Sequence, residues 1–89
     1  MSGDAVKVTF KLFATLADYL PAGAKSNQIE LDFGDGVPTV GQVIEQHQLP
    51  AKLVHLVLVN GNFVAPEARN GHRLKDGDTL AIWPPIAGG

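Results

Sequence analysis

The sequence contains no cysteine. This absence excludes disulfide bonds, zinc–thiolate sites, iron–sulfur ligation and catalysis by a thiol nucleophile. It is also typical of a cytoplasmic protein, which is the location that we predict. The three histidines, His47, His55 and His72, do not show the spacing of metal ligands. We therefore expect no metal site.

Excess positive charge and long apolar runs are absent as well. The chain has seven Lys and Arg residues and nine Asp and Glu residues, which gives a net charge of −2. Proteins that bind nucleic acids usually carry a basic patch, so this charge argues against a nucleic-acid partner. The apolar run Leu56–Val59 is far shorter than the roughly 20 residues that span a membrane. The start of the chain, from Met1 to Asp4, lacks the charged and apolar regions of a signal peptide. We expect neither nucleic acid nor membrane as a partner.

The length and composition are those of one small folded domain. The chain has 89 residues, of which 45% are hydrophobic and 18% charged. Aromatic residues make up only 7%, so aliphatic side chains must fill most of the core. We predict a single domain over residues 1–89, with residues 84–89 as a flexible C-terminal tail.

Alternation of apolar and polar residues predicts two strands near the N-terminus, at residues 6–12 and 28–33. In each of them one face is apolar and the other polar. If the strands pair antiparallel, charged side chains of both signs share the outer face: Lys7, Lys11, Glu30 and Asp32. The two strands therefore agree on which face meets water.

Two segments show signals of helix. Leu16 and Leu20, four residues apart, predict a short helix or helical turn. Thr39 and Gln42 have the spacing of a capping box, which predicts the start of the main helix. Pro50 is expected to end this helix.

The C-terminal half predicts three more strands. Residues 54–59 are almost all apolar, which is typical of a strand that is central or covered on both faces. Asn60 and Gly61 then signal a hairpin with a return strand at residues 62–65. Thr79–Trp83 is the last strand. The order β, short helix, β, helix, β, β, β predicts an α+β fold, a mixed sheet of about five strands with one main helix on one face.

Three stretches resemble the MoaD/ThiS family of β-grasp, ubiquitin-like sulfur carriers. They are FATL at residues 13–16, LKDGDTLAI at residues 74–82 and the ending WPPIAGG at residues 83–89. The resemblance covers nearly the whole chain. The ending is more similar to the small subunit of molybdopterin synthase than to the thiamine carrier, although Trp83 stands where that subunit commonly has Phe.

The resemblance implies a β-grasp fold and a carrier that is not itself an enzyme. A ubiquitin-activating-like adenylyltransferase would use ATP to adenylate Gly89, and a sulfur donor would convert Gly89 to a thiocarboxylate. The large subunit of molybdopterin synthase, or another acceptor enzyme, would then take the sulfur. The protein itself would bind no cofactor and contribute no acid, base or metal.

A slim tail suits this chemistry, because an activating enzyme must bring the terminal carboxylate to a buried ATP phosphate. Gly88 and Gly89 have no Cβ and permit close backbone approach. The two prolines before them favour an extended chain. The residues that we expect to thread into a partner are Pro84, Pro85, Ile86, Ala87 and Gly88.

The last strand also predicts a docking residue. Leu80 and Ile82 share one face, so Trp83 lies on the other face, away from the core and beside the tail. Exposed tryptophan is favoured as an anchor at interfaces. We predict that Trp83, with Phe13 or Phe63 nearby, forms the partner interface. The alternative is that Trp83 only covers the edge of the core.

Three other functions are compatible with the same sequence. The protein could carry sulfur for thiamine or another pathway. It could be a ubiquitin-like modifier that is joined through Gly89 to lysines of target proteins. It could also be a non-catalytic β-grasp binding module, like those attached to larger enzymes.

Overall fold

Five strands form one mixed sheet. The structure is a computed structural model that describes residues 5–85. In chain order the strands are β1 (Lys7–Leu12), β2 (Gln28–Asp32), β3 (Leu56–Val59), β4 (Asn62–Phe63) and β5 (Thr79–Trp83). Their order in space is β2-β1-β5-β3-β4. Only β1 and β5 pair parallel, and the other neighbouring strands pair antiparallel.

Helical structure covers one face of this sheet. The described part of the chain contains one α-helix, α1 (Val40–Gln46), and three 3-10 segments at Ala14–Tyr19, Ala51–Leu53 and Pro66–Ala68. The succession of strands and helices confirms the predicted α+β architecture. Among residues 5–85, every helix is too short or too polar to cross a membrane.

A capping box starts α1, as the sequence predicts. The backbone N–H of Gln42 donates to Oγ1 of Thr39 over 3.1 Å, and the backbone N–H of Thr39 donates to Oε1 of Gln42 over 2.9 Å. Two N–H groups that a helix start leaves without partners are thereby satisfied.

The prediction that Pro50 ends the helix is wrong, since α1 ends at Gln46. Gln48 adopts the left-handed backbone conformation, with φ of 57°. Its N–H donates to the carbonyl of Glu45, and the N–H of Leu49 donates to the carbonyl of Ile44. These two bonds form a Schellman motif, which ends the helix before the chain reaches Pro50.

The core lies between α1 and the inner face of the sheet. Alternate residues of the three central strands are buried there: Val8, Phe10, Leu12, Val57, Val59, Leu80 and Ile82. Val40 and Val43 of α1 and Leu16 of the first 3-10 segment are fully buried against them. Most of these side chains are aliphatic, as the composition predicts.

The hairpin between β3 and β4 is tied to the turn before β5. Asn60 and Gly61 both have positive φ, 52° and 84°, as a type I′ turn requires. The carboxylate of Asp78, which is only 6% exposed, accepts bonds from Nδ2 of Asn60 and from the backbone N–H of Lys75. The return strand is shorter than predicted and ends at Phe63.

The capping box gives a stability prediction. Thr39→Ala removes the Oγ1 acceptor at the start of α1, so we expect it to lower the free energy of unfolding by about 0.5–2 kcal/mol. Thr15→Ala is the matched control, because Thr15 is exposed in the first 3-10 segment. Its effect should stay within about 0.5 kcal/mol. Urea unfolding measures the free energy of unfolding of both variants. Equal decreases would show that the capping box does not stabilise α1.

Candidate docking face and root of the C-terminal tail

Trp83 lies on the outer face of the sheet, opposite α1. Along β5 the fully buried Leu80 and Ile82 point towards the helix, so Ala81 and Trp83 point to the other side. Trp83 remains half-buried. The alternation in the sequence therefore predicts its direction correctly, but the structure shows that it is not fully exposed.

Phe13 covers one side of the Trp83 indole. The two rings are stacked, with centroids 4.1 Å apart and planes 4° from parallel. The backbone explains this contact, since the N–H of Phe13 donates to the carbonyl of Ile82 just beyond the parallel pairing of β1 with β5. Such a ring pair stabilises a structure by about 0.5–1.5 kcal/mol beyond the area that it buries.

The end of β5 is held from the other side as well. The carbonyl of Trp83 accepts a bond of 3.1 Å from the backbone N–H of His55, which precedes β3. Because β5 is the central strand, the chain leaves the sheet from its middle and not from an edge. The root of the tail, Trp83 to Pro85, is thus fixed at a defined point beside the outer face.

Apolar side chains continue from Trp83 across β3 to β4. Leu56 pairs with Trp83, and Leu58 pairs with both Ala81 and Phe63. Phe63 is 60% exposed, while the two leucines are half-buried. We call this set the apolar half of the outer face: Phe13, Leu56, Leu58, Phe63, Ala81 and Trp83.

The structure places the three predicted interface residues differently. Phe13 contacts Trp83 directly, whereas Phe63 lies on the same face two strands away and two residues further along the register, roughly 12 Å away. The prediction overlooked Leu56 and Leu58, which connect them. Their signal was present in the sequence, because a strand that is apolar at every position has two apolar faces.

The other half of the outer face is charged. β1 and β2 pair in a register that sets Lys7 opposite Asp32 and Thr9 opposite Glu30. These side chains, with Lys11, lie on the polar face that the sequence predicts. The outer face therefore has an apolar half bordered by a charged half, and a continuous apolar patch with a polar rim is typical of a protein interaction site.

The tail itself is described only in part. Pro84 is half-buried and Pro85 is exposed. Ile86, Ala87, Gly88 and Gly89, to which the sequence assigns threading and adenylation, lie outside the described residues. Their roles stay predictions.

One titratable group near the tail root has a shifted pKa. Burial lowers the pKa of the Arg69 guanidinium, and the nearby carboxylate of Glu67 opposes this effect. Nη2 of Arg69 donates to the carbonyl of His55, the residue whose N–H bonds to the carbonyl of Trp83.

Among residues 5–85, aspartates, glutamates and histidines form no group of three that could hold a metal ion.

Sequence comparison identifies the family. Residues 5–87 match the profile of the Mut7-C ubiquitin family. The chain belongs to this family. No curated protein matches the sequence significantly.

Solved structures similar to this member of the Mut7-C ubiquitin family are ubiquitin-like proteins. SAMP1, a small archaeal modifier protein from Haloferax volcanii, is 32% identical over 93% of this chain and 99% of its own, with a TM-score of 0.62. A candidate molybdopterin converting factor, subunit 1, from Pyrococcus furiosus is 25% identical over 91% and 99%, with a TM-score of 0.64. The HVO 2177 protein of Haloferax volcanii is 25% identical over 100% and 92%, with a TM-score of 0.71.

These similarities confirm the β-grasp, ubiquitin-like fold of this Mut7-C ubiquitin family member. They also confirm the predicted resemblance to the small converting-factor subunit. Two of these three relatives are a modifier and a candidate subunit of a converting factor, so this chain is similar to small carrier or modifier proteins.

The stack gives a second stability prediction. In a double-mutant cycle, Phe13→Leu and Trp83→Leu should show a coupling of about 0.5–1.5 kcal/mol, because each change alone breaks the same ring contact. Phe63→Leu with Trp83→Leu is the control pair, and these changes should be additive within about 0.5 kcal/mol. Urea unfolding of all variants measures both cycles. Equal coupling energies in the two cycles would show that the ring contact between Phe13 and Trp83 does not stabilise the fold.

Proposed function

We propose that this protein is a sulfur carrier of molybdopterin biosynthesis. Its C-terminal Gly89 is adenylated and converted to a thiocarboxylate, which delivers sulfur to a partner enzyme. The protein is a co-substrate or small subunit in this reaction and not an enzyme. ATP is used by the activating enzyme, and the carrier itself binds no cofactor.

The observation that supports the proposal most is the position of Trp83. It lies at the end of the central strand, stacked on Phe13, at the point where the apolar half of the outer face meets the root of the tail. A partner that docks on this apolar half is therefore beside the start of the tail. Docking thus aims the following residues at the partner's active site.

The length of the tail sets how far Gly89 can extend from the folded body into a partner. From Trp83 to Gly89 an extended chain covers roughly 20 Å, at about 3.3–3.6 Å per residue. Pro84 and Pro85 favour the extended form and lose little freedom on binding. Each glycine loses about 1–2 kcal/mol of backbone entropy when it is fixed, so docking of the folded body must offset this cost.

The chemistry requires activation, because charge and resonance make a carboxylate a poor electrophile. The Gly89 carboxylate oxygen attacks the α-phosphate of ATP, which forms an acyl-adenylate and releases pyrophosphate. A hydrosulfide-equivalent donor then attacks the acyl carbon and displaces AMP, which leaves the thiocarboxylate. The activating enzyme, of the ubiquitin-activating-like adenylyltransferase class, supplies the catalytic groups.

The second partner is the acceptor of the sulfur. We assign this role to the large subunit of molybdopterin synthase, into which Ile86, Ala87 and Gly88 carry the terminal thiocarboxylate. The similarity to a candidate converting-factor subunit 1 supports this pathway. We also propose that the reaction takes place in the cytoplasm.

Protein modification is the second candidate. The 32% identity to SAMP1, a small archaeal modifier protein, favours it. The acyl-adenylate is common to both functions, but in modification the amino group of a target lysine displaces AMP. Denaturing immunoblots of cells that express the tagged chain separate the two, since only a modifier produces a ladder of lysine-linked species.

Intact-mass analysis tests the carrier function. Protein incubated with its activating enzyme, ATP and a sulfur donor should exchange one oxygen for sulfur at Gly89. A chain that lacks Gly88 and Gly89 is the control and should keep its mass. If the full chain also stays unchanged while a known carrier reacts with the same reagents, the proposal is wrong.

The docking face is tested separately. Phe63→Asp introduces a charge into the apolar half and should weaken binding to the activating enzyme at least about tenfold, an effect of about 1.4 kcal/mol. Val37→Asp is the matched control, because Val37 is also 60% exposed but lies just before α1, outside the apolar half. Isothermal titration calorimetry measures the affinities, and thermal melting verifies that both variants fold.

If the two variants bind with equal affinity, the apolar half is not the surface on which the activating enzyme docks.

A chain without Gly88 and Gly89 should still bind the activating enzyme and compete with the full chain. If the truncated chain also keeps all activity in cells, the function is that of a binding module instead.

A further inference from the structure

The two edges of the sheet are unequal. β4, at one edge, consists of only Asn62 and Phe63, whereas β2, at the other edge, has five residues. A longer edge strand offers unpaired backbone groups to which another strand can bind. β2 is therefore the edge at which the sheet can be extended.

The register shows which backbone groups of β2 point outwards. The N–H of Leu12 donates to the carbonyl of Asn27, and the N–H of Phe33 donates to the carbonyl of Val6. Because bonded and non-bonded pairs alternate in an antiparallel ladder, Ile29 and Leu31 also bond to β1. The backbone groups of the residues between them point away from β1.

The outward groups of Gln28 are already occupied, which supports this assignment. Gln28 and Lys25 exchange two backbone bonds of 3.0 and 3.1 Å on the side away from β1. Glu30 and Asp32 are the remaining outward residues of β2, and within residues 5–85 the only strand that pairs with them is β1. Each of them presents one N–H and one carbonyl at the open edge.

Side chains define what kind of strand fits there. Glu30 and Asp32 are exposed on the outer face, and Ile29 and Leu31 on the inner face are only half-buried. Opposite charges on neighbouring strands stabilise a sheet and like charges destabilise it. A strand that binds here should carry basic side chains on the outer face and apolar ones on the inner face.

β1 is a strand of this kind on the other side of β2. Its sequence, KVTFKL, places two lysines on the outer face and buried apolar residues on the inner face. On the outer face the charged side chains of β1 are basic and those of β2 are acidic. A strand that pairs with the open side of β2 should therefore be basic on this face, as β1 is.

A second copy of this chain is a poor occupant of the edge. Antiparallel pairing of two β2 strands centred on residue 30 sets Glu30 opposite Glu30, and pairing centred on residue 31 sets Glu30 opposite Asp32. Both registers place carboxylates side by side. β1 of a second copy has no open edge, because it pairs with β2 and β5.

We infer that the open edge at Glu30 and Asp32 binds an extended segment of a partner protein in which basic and apolar residues alternate. The segment adds a sixth strand to the sheet through the backbone groups of these two residues. The site is at the far side of β1 from the apolar half of the outer face, and the inference does not depend on activation of Gly89.

Hydrogen exchange of the full chain tests the inference, with a capped KVTFKL peptide as the probe. At a peptide concentration about ten times its Kd, the amide protons of Glu30 and Asp32 should exchange about tenfold more slowly. The amide of Leu31 already bonds to β1, so its exchange should not change. A capped EVTFEL peptide is the control and should protect none of them at the same concentration.

Two variants complete the test. Glu30→Pro removes an outward N–H and should abolish binding of KVTFKL while the chain still folds, because proline is tolerated on the open side of an edge strand. Glu30→Lys should reverse the preference towards EVTFEL, and thermal melting shows whether each variant is folded.

Three results would overturn the inference. They are unchanged exchange of Glu30 and Asp32 at millimolar KVTFKL, equal protection by EVTFEL, and equal binding of KVTFKL to the folded Glu30→Lys variant. None of these results bears on the oxygen-to-sulfur exchange at Gly89.

Discussion

The parallel pairing of β1 with β5 is the interaction on which the rest of the structure depends. It joins strands that are about 70 residues apart in sequence, with Thr9 opposite Thr79 and Leu12 opposite Ile82. Loop closure over this distance is costly, and the buried inner faces of both strands offset the cost. Because β5 becomes the central strand, its end and the root of the tail leave the sheet from the middle.

The same pairing arranges the outer face. It brings Phe13, at the end of β1, onto Trp83, at the end of β5. It also separates the charged strands β1 and β2 from the apolar strands β3 and β4. One face of a small sheet thereby acquires an apolar half next to the root of the tail and a charged half that ends in an open edge.

In the proposed function, recognition and chemistry lie in different parts of the chain. The folded body offers surfaces that partners can recognise. The proposed reacting group is the carboxylate of Gly89, which, like Gly88 before it, has no side chain. A modifier and a converting-factor subunit share this fold with the present chain. The fold alone therefore does not decide the chemistry, and in the proposed function the partner enzyme does.

The sequence by itself determined the five strands and the start of α1, because alternation, capping residues and the Asn60-Gly61 turn act through local contacts. It did not determine the end of α1, the length of β4 or the 3-10 segments at Ala51–Leu53 and Pro66–Ala68. It also determined the side of β5 on which Trp83 lies. Only the tertiary structure decided that Phe13 stacks on Trp83, that Leu56 and Leu58 extend the apolar half and that β2 is an open edge. These features arise from the order of strands in space, which depends on pairing between distant segments and has no local signal in the chain.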